Sequence, residues 1–180
     1  MILPADPSHL DEAWAILDGC RAELRARGVD QWDDVYPTRE TVAADIVAGR
    51  LHVLLERGRC LGMVTLDERQ DAEYATVPWT GAEPALVVHR LCVHPDAQGR
   101  GIGSRLMDHA ESLARDGGYA SVRLDAYTGN PGSAALYRRR GYREAGQVRF
   151  PRRELPFHCF ELDLRAPNPS ERPPAAAEAT

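Results

Sequence analysis

The spacing of hydrophobic and polar residues divides the chain into alternating helical and strand-like segments up to residue 164. Apolar residues recur at helical intervals between Asp6 and Gly28, and the pair Asp6–Pro7 is typical of a capped helix start. The same period predicts helices over 38–48, 102–115 and 131–140. β-Branched and apolar runs predict strands over 1–3, 51–55, 60–66, 85–93, 121–126, 142–150 and 157–164. The predicted order is β-α-α-β-β-β-α-β-α-β-β.

The stretch from Leu91 to Ser104 combines the end of a strand, a glycine-rich turn and the start of an amphipathic helix. Pro95 ends the strand, and Gly99, Gly101 and Gly103 leave the turn almost without side chains. Backbone N–H groups at the helix N-terminus can therefore converge on an anion, and the helix dipole adds to the attraction. The stretch predicts a binding site for a ligand that carries phosphate.

The residues missing from this turn narrow the choice of ligand. A nucleotide-binding P-loop needs a Lys-Ser/Thr pair after its glycines, and the turn has none. A dinucleotide fingerprint needs a third glycine where Leu106 or Ser104 stands, although Asp125 lies at a strand end roughly 20 residues further on. A tight turn before an ordinary helix is the alternative without any ligand.

The run Gln98-Gly99-Arg100-Gly101-Ile102-Gly103 resembles the acyl-CoA loop of the GNAT superfamily of N-acetyltransferases, with the pattern Q/R-x-x-G-x-G/A. The run from Asn130 to Tyr142 resembles a second segment of the family, N-x-x-A-x-x-L-Y-x-x-x-G-F. It has one extra residue before Ala134, and Tyr142 stands where Phe is usual. The resemblance covers about residues 1–164. It implies an α/β (α+β) fold with a mixed, mostly antiparallel sheet of six to seven strands and four helices.

The resemblance also implies the donor and the residues that hold it. Acetyl-CoA would supply the acyl group, with its pyrophosphate on the glycine turn and its pantetheine arm along the strand before the turn and the helix after Asn130. Asn130, Ala134 and Tyr137 are spaced to share one helix face. The expected cofactor-binding residues are Leu91, Cys92, Val93, Gln98, Gly99, Arg100, Gly101, Ile102, Gly103, Ser104, Asn130, Ala134 and Tyr137.

Two residues are the catalytic candidates. Tyr137 matches the family's usual acid for the departing thiolate. His89 resembles the proton acceptor of some arylalkylamine-type members, and regular alternation would put it on the strand face of Leu91 and Val93, opposite Cys92. A buried structural histidine, or a water chain in place of a single base, are the alternatives for His89.

The sequence indicates the residues of the acceptor pocket less specifically than those of the donor site. In the family, the loop between the first two helices usually lines this pocket, which makes Trp32 and Tyr36 candidate contacts. Tyr74 and Trp79 lie in a long polar segment over 67–84, of a kind that is more often functional than idle. Asp125 could pair with the ammonium group of the acceptor. Aromatic residues that anchor their loops to the core are the structural alternative.

Composition and charge narrow the partners. The chain has 180 residues, 43% of them hydrophobic and 27% charged, and a net charge of −5. One domain over 1–164 and a disordered Pro/Ala-rich tail over 165–180 fit this size and composition. The negative charge argues against nucleic acid and favours a cationic amine as acceptor. A homodimer through the last strands is compatible with the fold.

The cysteines and the absence of long apolar runs indicate the compartment. Cys20, Cys60, Cys92 and Cys159 lie far apart, and neither a secretion signal nor a membrane-spanning stretch is recognisable. These features predict a cytoplasmic protein with free thiols and no membrane partner. A metal site is not expected, because alternation separates His89 from Cys92 and His94.

The sequence thus predicts an enzyme that moves an acetyl group from acetyl-CoA to a primary amine of a small molecule, by direct attack through a tetrahedral intermediate. An acetyltransferase for protein N-termini or lysines is one alternative. A non-catalytic acyl-CoA sensor with the same fold is the other.

Overall fold

A computed structural model of the chain describes residues 1–165. Its four α-helices are α1 (Leu10–Ala26), α2 (Arg39–Val47), α3 (Ile102–Asp116) and α4 (Pro131–Arg139). Its strands are β1 (Ile2–Pro4), β2 (Leu51–Glu56), β3 (Arg59–Asp67), β4 (Ala85–Val93), β5 (Ser121–Tyr127), β6 (Arg143–Val148) and β7 (Phe157–Asp163). The order predicted from the sequence is confirmed. The predicted tail, apart from Arg165, lies outside the described residues.

All seven strands form one sheet in the order β1-β2-β3-β4-β5-β7-β6. Neighbouring strands are antiparallel, except that β4 and β5 run parallel. The parallel pairing covers only four residue pairs, from Ala85–Ser121 to Val88–Leu124. Beyond that point the two strands separate, and the residues from His89 to Val93 have no partner on the β5 side. The mixed sheet with four helices confirms the predicted fold class.

The helices cover both faces of the sheet. Helices α1 and α2 pack Ile16, Leu17 and Ile46 against Val53 and Met63 on one face. Helices α3 and α4 pack on the opposite face, together with Val88, Val122, Leu124 and Phe160 from the strands. Helix α2 begins at a start signal in the sequence. Thr38 accepts a hydrogen bond from the backbone N–H of Thr41 at the start of α2.

A bulge interrupts β4 at Arg90. Thr65 of β3 faces His89 and Met63 faces Cys92, so that two residues of β4, Arg90 and Leu91, stand opposite one residue of β3. Arg90 has φ +41, a value that non-glycine residues rarely adopt. The extra residue reverses the alternation of side chains along the rest of the strand.

None of the helices within residues 1–165 is long and apolar enough to cross a membrane.

Candidate active site

A cavity of about 820 Å³ lies where β4 and β5 separate. One end lies at the glycine turn and the start of α4. The other end lies between the α1–α2 loop and the segment that connects β6 to β7. The residues around it divide into a donor half, near α3 and α4, and an acceptor half, near α1.

The glycine turn is open to this cavity. Gly99 has φ +75 and Gly101 has φ +76, values that glycine adopts without strain. A Cβ atom at either position would meet no heavy atom within 4 Å, so the space above the turn is free. Gly101 is also the N-cap residue directly before α3, and the N–H groups of the first turn of α3 have no partner within the helix. The turn therefore fits a phosphate group, as the sequence predicts.

The two polar side chains of the turn differ in direction. Gln98 lines the cavity, and its Nε2 donates to Glu23 Oε2 at 2.8 Å. The Arg100 side chain points away from the cavity and donates through Nη2 to Glu56 Oε2 at 2.8 Å. Glu56 on β2 thus provides a carboxylate partner for Arg100, and binding of the cofactor by Arg100 stays a prediction.

Helix α4 contributes the other wall of the donor half. Asn130 stands at its start and lines the cavity with Gly132, Ser133, Leu136 and Tyr137. Asn130 Nδ2 donates to Gln31 Oε1 at 2.9 Å, which joins α4 to the α1–α2 loop. Ala134 is 2% exposed and packs in the core below α4. Ala134 is not among the residues that line the cavity, and its contact with the cofactor stays a prediction.

Tyr137 lines the cavity from α4, as does Arg139 near the end of the helix. Its ring lies between Tyr142 and Phe160, with centroids 5.9 and 5.8 Å away. Within residues 1–165, no protein atom forms a hydrogen bond with its hydroxyl group. Burial, with the nearby carboxylate of Asp125 as a smaller cause, raises the pKa of Tyr137, so the hydroxyl stays protonated at neutral pH. A protonated hydroxyl is available to donate a proton inside the cavity.

The end of β4 lies along the floor of the cavity. Leu91, Cys92 and Val93, the predicted contacts of the pantetheine arm, all line it. The carbonyl oxygen of Val93 already accepts a hydrogen bond from the Cys20 thiol at 3.1 Å, and its second lone pair stays free. Cys20 itself lies on α1 and was missed by the sequence analysis. Burial raises the pKa of Cys92 well above its usual value, so this thiol is a packing group.

His89 lines the cavity, but on a different face than expected. The bulge at Arg90 places His89 on the same face as Cys92, while Leu91 and Val93 pack with Val88 on the other face. The prediction that His89 shares a face with Leu91 and Val93 is thus wrong. The Nε2 atom of His89 lies 3.1 Å from Asp67 Oδ1. This contact holds the pKa of Asp67 below its usual value, although burial acts in the opposite direction.

The argument against a metal site also assumed regular alternation of side chains along β4. It fails because the bulge places His89 and Cys92 on the same face. No group of three or more possible metal ligands occurs in the part of the chain that the structure describes.

Two of the four predicted aromatic residues line the acceptor half. Trp32 and Tyr36 both face the cavity from the α1–α2 loop. The Tyr36 hydroxyl accepts a hydrogen bond from Arg90 Nη1. Arg90 also donates to Asp45 Oδ2 from Nε, at 3.1 Å, and from Nη2, at 2.6 Å. Arg90 was missed by the sequence analysis, although a charged residue within an apolar strand is a recognisable signal.

Tyr74 and Trp79 lie behind the cavity wall. Tyr74 is 1% exposed, and its hydroxyl donates to Asp125 Oδ2 at 2.7 Å. Trp79 packs on the Tyr74 ring, donates to its carbonyl oxygen at 3.0 Å and lies below the Arg123 guanidinium. The prediction of Tyr74 and Trp79 as walls of the acceptor pocket is wrong, because both belong to the core that covers β5 and β7. Asp125 lines the cavity as expected.

A further wall comes from the segment between β6 and β7, which the sequence did not indicate. Phe150, Pro151, Arg152 and Arg153 line the cavity there. Arg153 donates to Asp30 Oδ1 at 3.1 Å and lies 2.5 Å from Asp33 Oδ2. Arg152 Nε donates to the same Asp33 oxygen at 3.2 Å. These ion pairs tie the segment to the α1–α2 loop across the acceptor end of the cavity.

The sequence matches the model of the Acetyltransferase (GNAT) family over residues 14–142. This range includes the glycine turn, the separated end of β4 and Tyr137. The chain belongs to the GNAT acetyltransferase family. Family membership assigns it acetyltransferase activity with acetyl-CoA as the donor.

Solved GNAT structures share the fold. A GNAT-family acetyltransferase from Streptococcus agalactiae superimposes with a TM-score of 0.78 at 22% identity, covering 91% of this chain and 94% of that one. The yncA protein of Salmonella typhimurium, solved with its cofactor acetyl-CoA, has a TM-score of 0.68 at 20% identity, with 97% and 98% covered. Among curated relatives, a mycothiol acetyltransferase from Nocardiopsis dassonvillei is 31% identical over 98% of this chain, which spans 51% of that relative.

Proposed function

We propose that this GNAT protein is a cytoplasmic N-acetyltransferase that moves the acetyl group of acetyl-CoA to a primary amine of a small molecule. The observation that carries the proposal is the set of ion pairs that bridges the acceptor end of the cavity. Arg152 and Arg153 join the β6–β7 segment to Asp30 and Asp33. An extended peptide acceptor needs an open groove or sheet edge along which its backbone can lie. Ion pairs across this end of the cavity favour a compact amine.

The lining of the acceptor half supports an amine. Trp32, Phe150 and Phe157 supply apolar walls. Asp71 and Asp125 supply negative charge, beside Arg152 and Arg153, which are paired with Asp33. An ammonium group is attracted to such carboxylates, and the net charge of −5 adds a favourable long-range field. The likeness to a mycothiol acetyltransferase over 98% of the chain also supports a small-molecule acceptor. Four free cysteines support the cytoplasmic compartment.

The proposed reaction uses residues that line one cavity. The glycine turn holds the pyrophosphate of acetyl-CoA, and the free edge of β4 near Leu91 and Val93 orients its pantetheine arm and thioester. The deprotonated amine attacks the thioester carbon and gives a tetrahedral intermediate. As the C–S bond breaks, Tyr137 donates its proton to the sulfur. His89 is the candidate from the sequence for the group that deprotonates the ammonium.

The experiment that tests this function measures thiol release from acetyl-CoA with three sets of acceptors: small primary amines, peptides with free N-termini, and no acceptor. The chain contains no lysine, so acetylation of the enzyme itself is limited to its N-terminus and the background is low. We expect release with small amines and mass-spectrometric detection of the acetylated amine. Release with peptides alone would favour the protein acetyltransferase. Binding of acetyl-CoA without release in any set would favour the sensor.

A further inference from the structure

Asp125 occupies the place where the sheet opens. It follows Leu124, the last residue of β5 that pairs with β4, and its side chain reaches the cavity. One carboxylate oxygen, Oδ2, accepts the hydrogen bond from Tyr74 at 2.7 Å. Trp79 packs against the Tyr74 ring and fixes it from behind. The carboxylate is therefore held in one orientation by a buried hydroxyl that does not itself line the cavity.

The charged and titratable groups around Asp125 come from every neighbouring element. His89 faces it from β4, Tyr137 from α4, Asp71 from the β3–β4 segment and Cys159 from β7. His89 is the one of these that can carry a positive charge, and its Nε2 is already engaged with Asp67. Within residues 1–165, no arginine forms an ion pair with Asp125. A carboxylate on the cavity wall without a permanent cationic partner is suited to a positively charged ligand.

We propose that Asp125 binds the ammonium group of the acceptor and accepts its proton, with Tyr74 as the residue that positions the carboxylate. The inference rests on the proposed function, since it assigns the proton acceptor of that same reaction. His89 then shapes the wall beside Asp125 and is not the acceptor of the proton.

The protons balance along this route. The ammonium gives one proton to Asp125, which later releases it to solvent, and the neutral amine forms the C–N bond with the thioester carbon. When the C–S bond breaks, the thiolate takes a proton from Tyr137. The nitrogen loses its second proton, which returns through water to Tyr137. The products are the amide, CoA with a free thiol and one proton in solution.

The environment of Asp125 suits this role. Burial raises the pKa of Asp125 to about 6, the hydrogen bond from Tyr74 and the neighbouring His89 lower it in part, and the charge of Asp71 raises it slightly. A carboxylate with a pKa near 6 takes a proton from an ammonium roughly a hundred times more readily than an ordinary aspartate does. It is still ionised at pH 7.5 and so ready to accept. A pKa close to the operating pH is typical of general bases.

The test compares the pH dependence of kcat/KM among Asp125→Asn, Tyr74→Phe, His89→Gln and wild type, with an alkylamine that the amine panel identifies as an acceptor. In the wild type, we expect an acidic limb near pH 6. In Asp125→Asn, kcat/KM should fall at least a hundredfold at pH 7.5. The kcat/KM of this variant should keep rising with pH up to the pKa of the amine, about 10, because only the neutral amine can then react. Acetyl-CoA binding should be unchanged.

Tyr74→Phe and Asp71→Asn form a matched pair, because they should move the acidic limb of kcat/KM in opposite directions. Loss of the Tyr74 hydroxyl removes a hydrogen bond that favours the carboxylate, so the acidic limb should move to higher pH. Loss of the Asp71 charge removes a repulsion, so the limb should move slightly to lower pH. A structural role of Tyr74 alone would lower the rate without moving the limb.

A limb near pH 6 that persists in Asp125→Asn and disappears in His89→Gln would overturn the inference and make His89 the proton acceptor. An unshifted limb in Tyr74→Phe would overturn the positioning role. A wild-type protein that releases no CoA with any amine would instead overturn the proposed function, and the role of Asp125 with it.

Discussion

The Arg90 guanidinium and the Asp45 carboxylate meet beside the bulge of β4, with Arg90 Nη2 2.6 Å from Asp45 Oδ2. Both side chains are at least nine-tenths buried, and Asp45 also accepts a hydrogen bond from Thr65 at 3.1 Å. Helix α2 is thus joined to the strand at the residue where its regular geometry breaks. The ion pair holds Arg90 at φ +41 and so fixes the direction of the chain that leads into the cavity.

Replacement of Arg90 should test this coupling. Arg90→Ala leaves the Asp45 carboxylate buried without its cation, so we expect the free energy of unfolding to fall by about 3 kcal/mol. Urea unfolding measures the loss. Arg39→Ala removes an exposed arginine from its ion pair with Asp11 and serves as the control, with an expected change below about 1 kcal/mol. Equal losses of unfolding free energy in the two variants would show that the buried ion pair stabilises the fold no more than the exposed one.

The glycine turn gives a prediction for donor affinity. Gly101→Asp places a bulky anion in the space above the turn, and the affinity for acetyl-CoA should fall at least tenfold, about 1.4 kcal/mol. Isothermal titration calorimetry measures it. The control is Gly58→Asp in the β2–β3 turn, because Gly58 has the same φ of +76 and suffers the same backbone strain outside the cavity. Unchanged affinity for acetyl-CoA in folded Gly101→Asp would show that the turn does not bind the phosphate.

The sequence predicted the elements, the glycine turn and the position of Tyr137, because each depends on a local pattern of a few residues. It failed where two distant segments decide the outcome. The face of His89 depends on the bulge, which is set by the pairing of β4 with β3 and by Asp45. Tyr74 and Trp79 pack behind Asp125, a contact that spans about fifty residues of chain.

Removal of the Tyr137 hydroxyl should separate chemistry from binding. Tyr137→Phe keeps the ring between Tyr142 and Phe160, so acetyl-CoA should bind almost as before, while kcat falls by roughly 10²-fold. Steady-state kinetics with an accepted amine measures the ratio. The loss should shrink with a thioester whose thiol has a lower pKa, since a better leaving group needs the proton less. A joint loss of binding and rate would indicate a packing role.

Asp125 should also limit the stability of the fold. Its pKa is raised to about 6 by burial, so the folded state holds a proton that the unfolded state releases at a lower pH. The stability linked to this proton is complete below pH 4 and is lost as the pH rises through 6. An asparagine has no charge to bury, so Asp125→Asn does not lose this stability as the pH rises. We expect its free energy of unfolding to exceed that of the wild type by about 2 kcal/mol at pH 8, with no such gain at pH 4.

Thermal unfolding at the two pH values measures this difference. Asp116→Asn removes one negative charge from the exposed end of α3 and controls for the change in net charge. A melting temperature of Asp125→Asn below that of the wild type at pH 8 would contradict the prediction, because it would mean that the charged carboxylate stabilises the folded protein.

The short parallel contact between β4 and β5 has a mechanical consequence. Four residue pairs join a half-sheet of β1 to β4 to a second one of β5, β7 and β6, so this contact works as a hinge line whose opening angle sets the width of the cavity. Side chains at the hinge, such as Val87 and Val122, are buried and do not line the cavity. A change in their volume would still rotate one half against the other, so the range of acceptors that fit can be altered from residues outside the cavity.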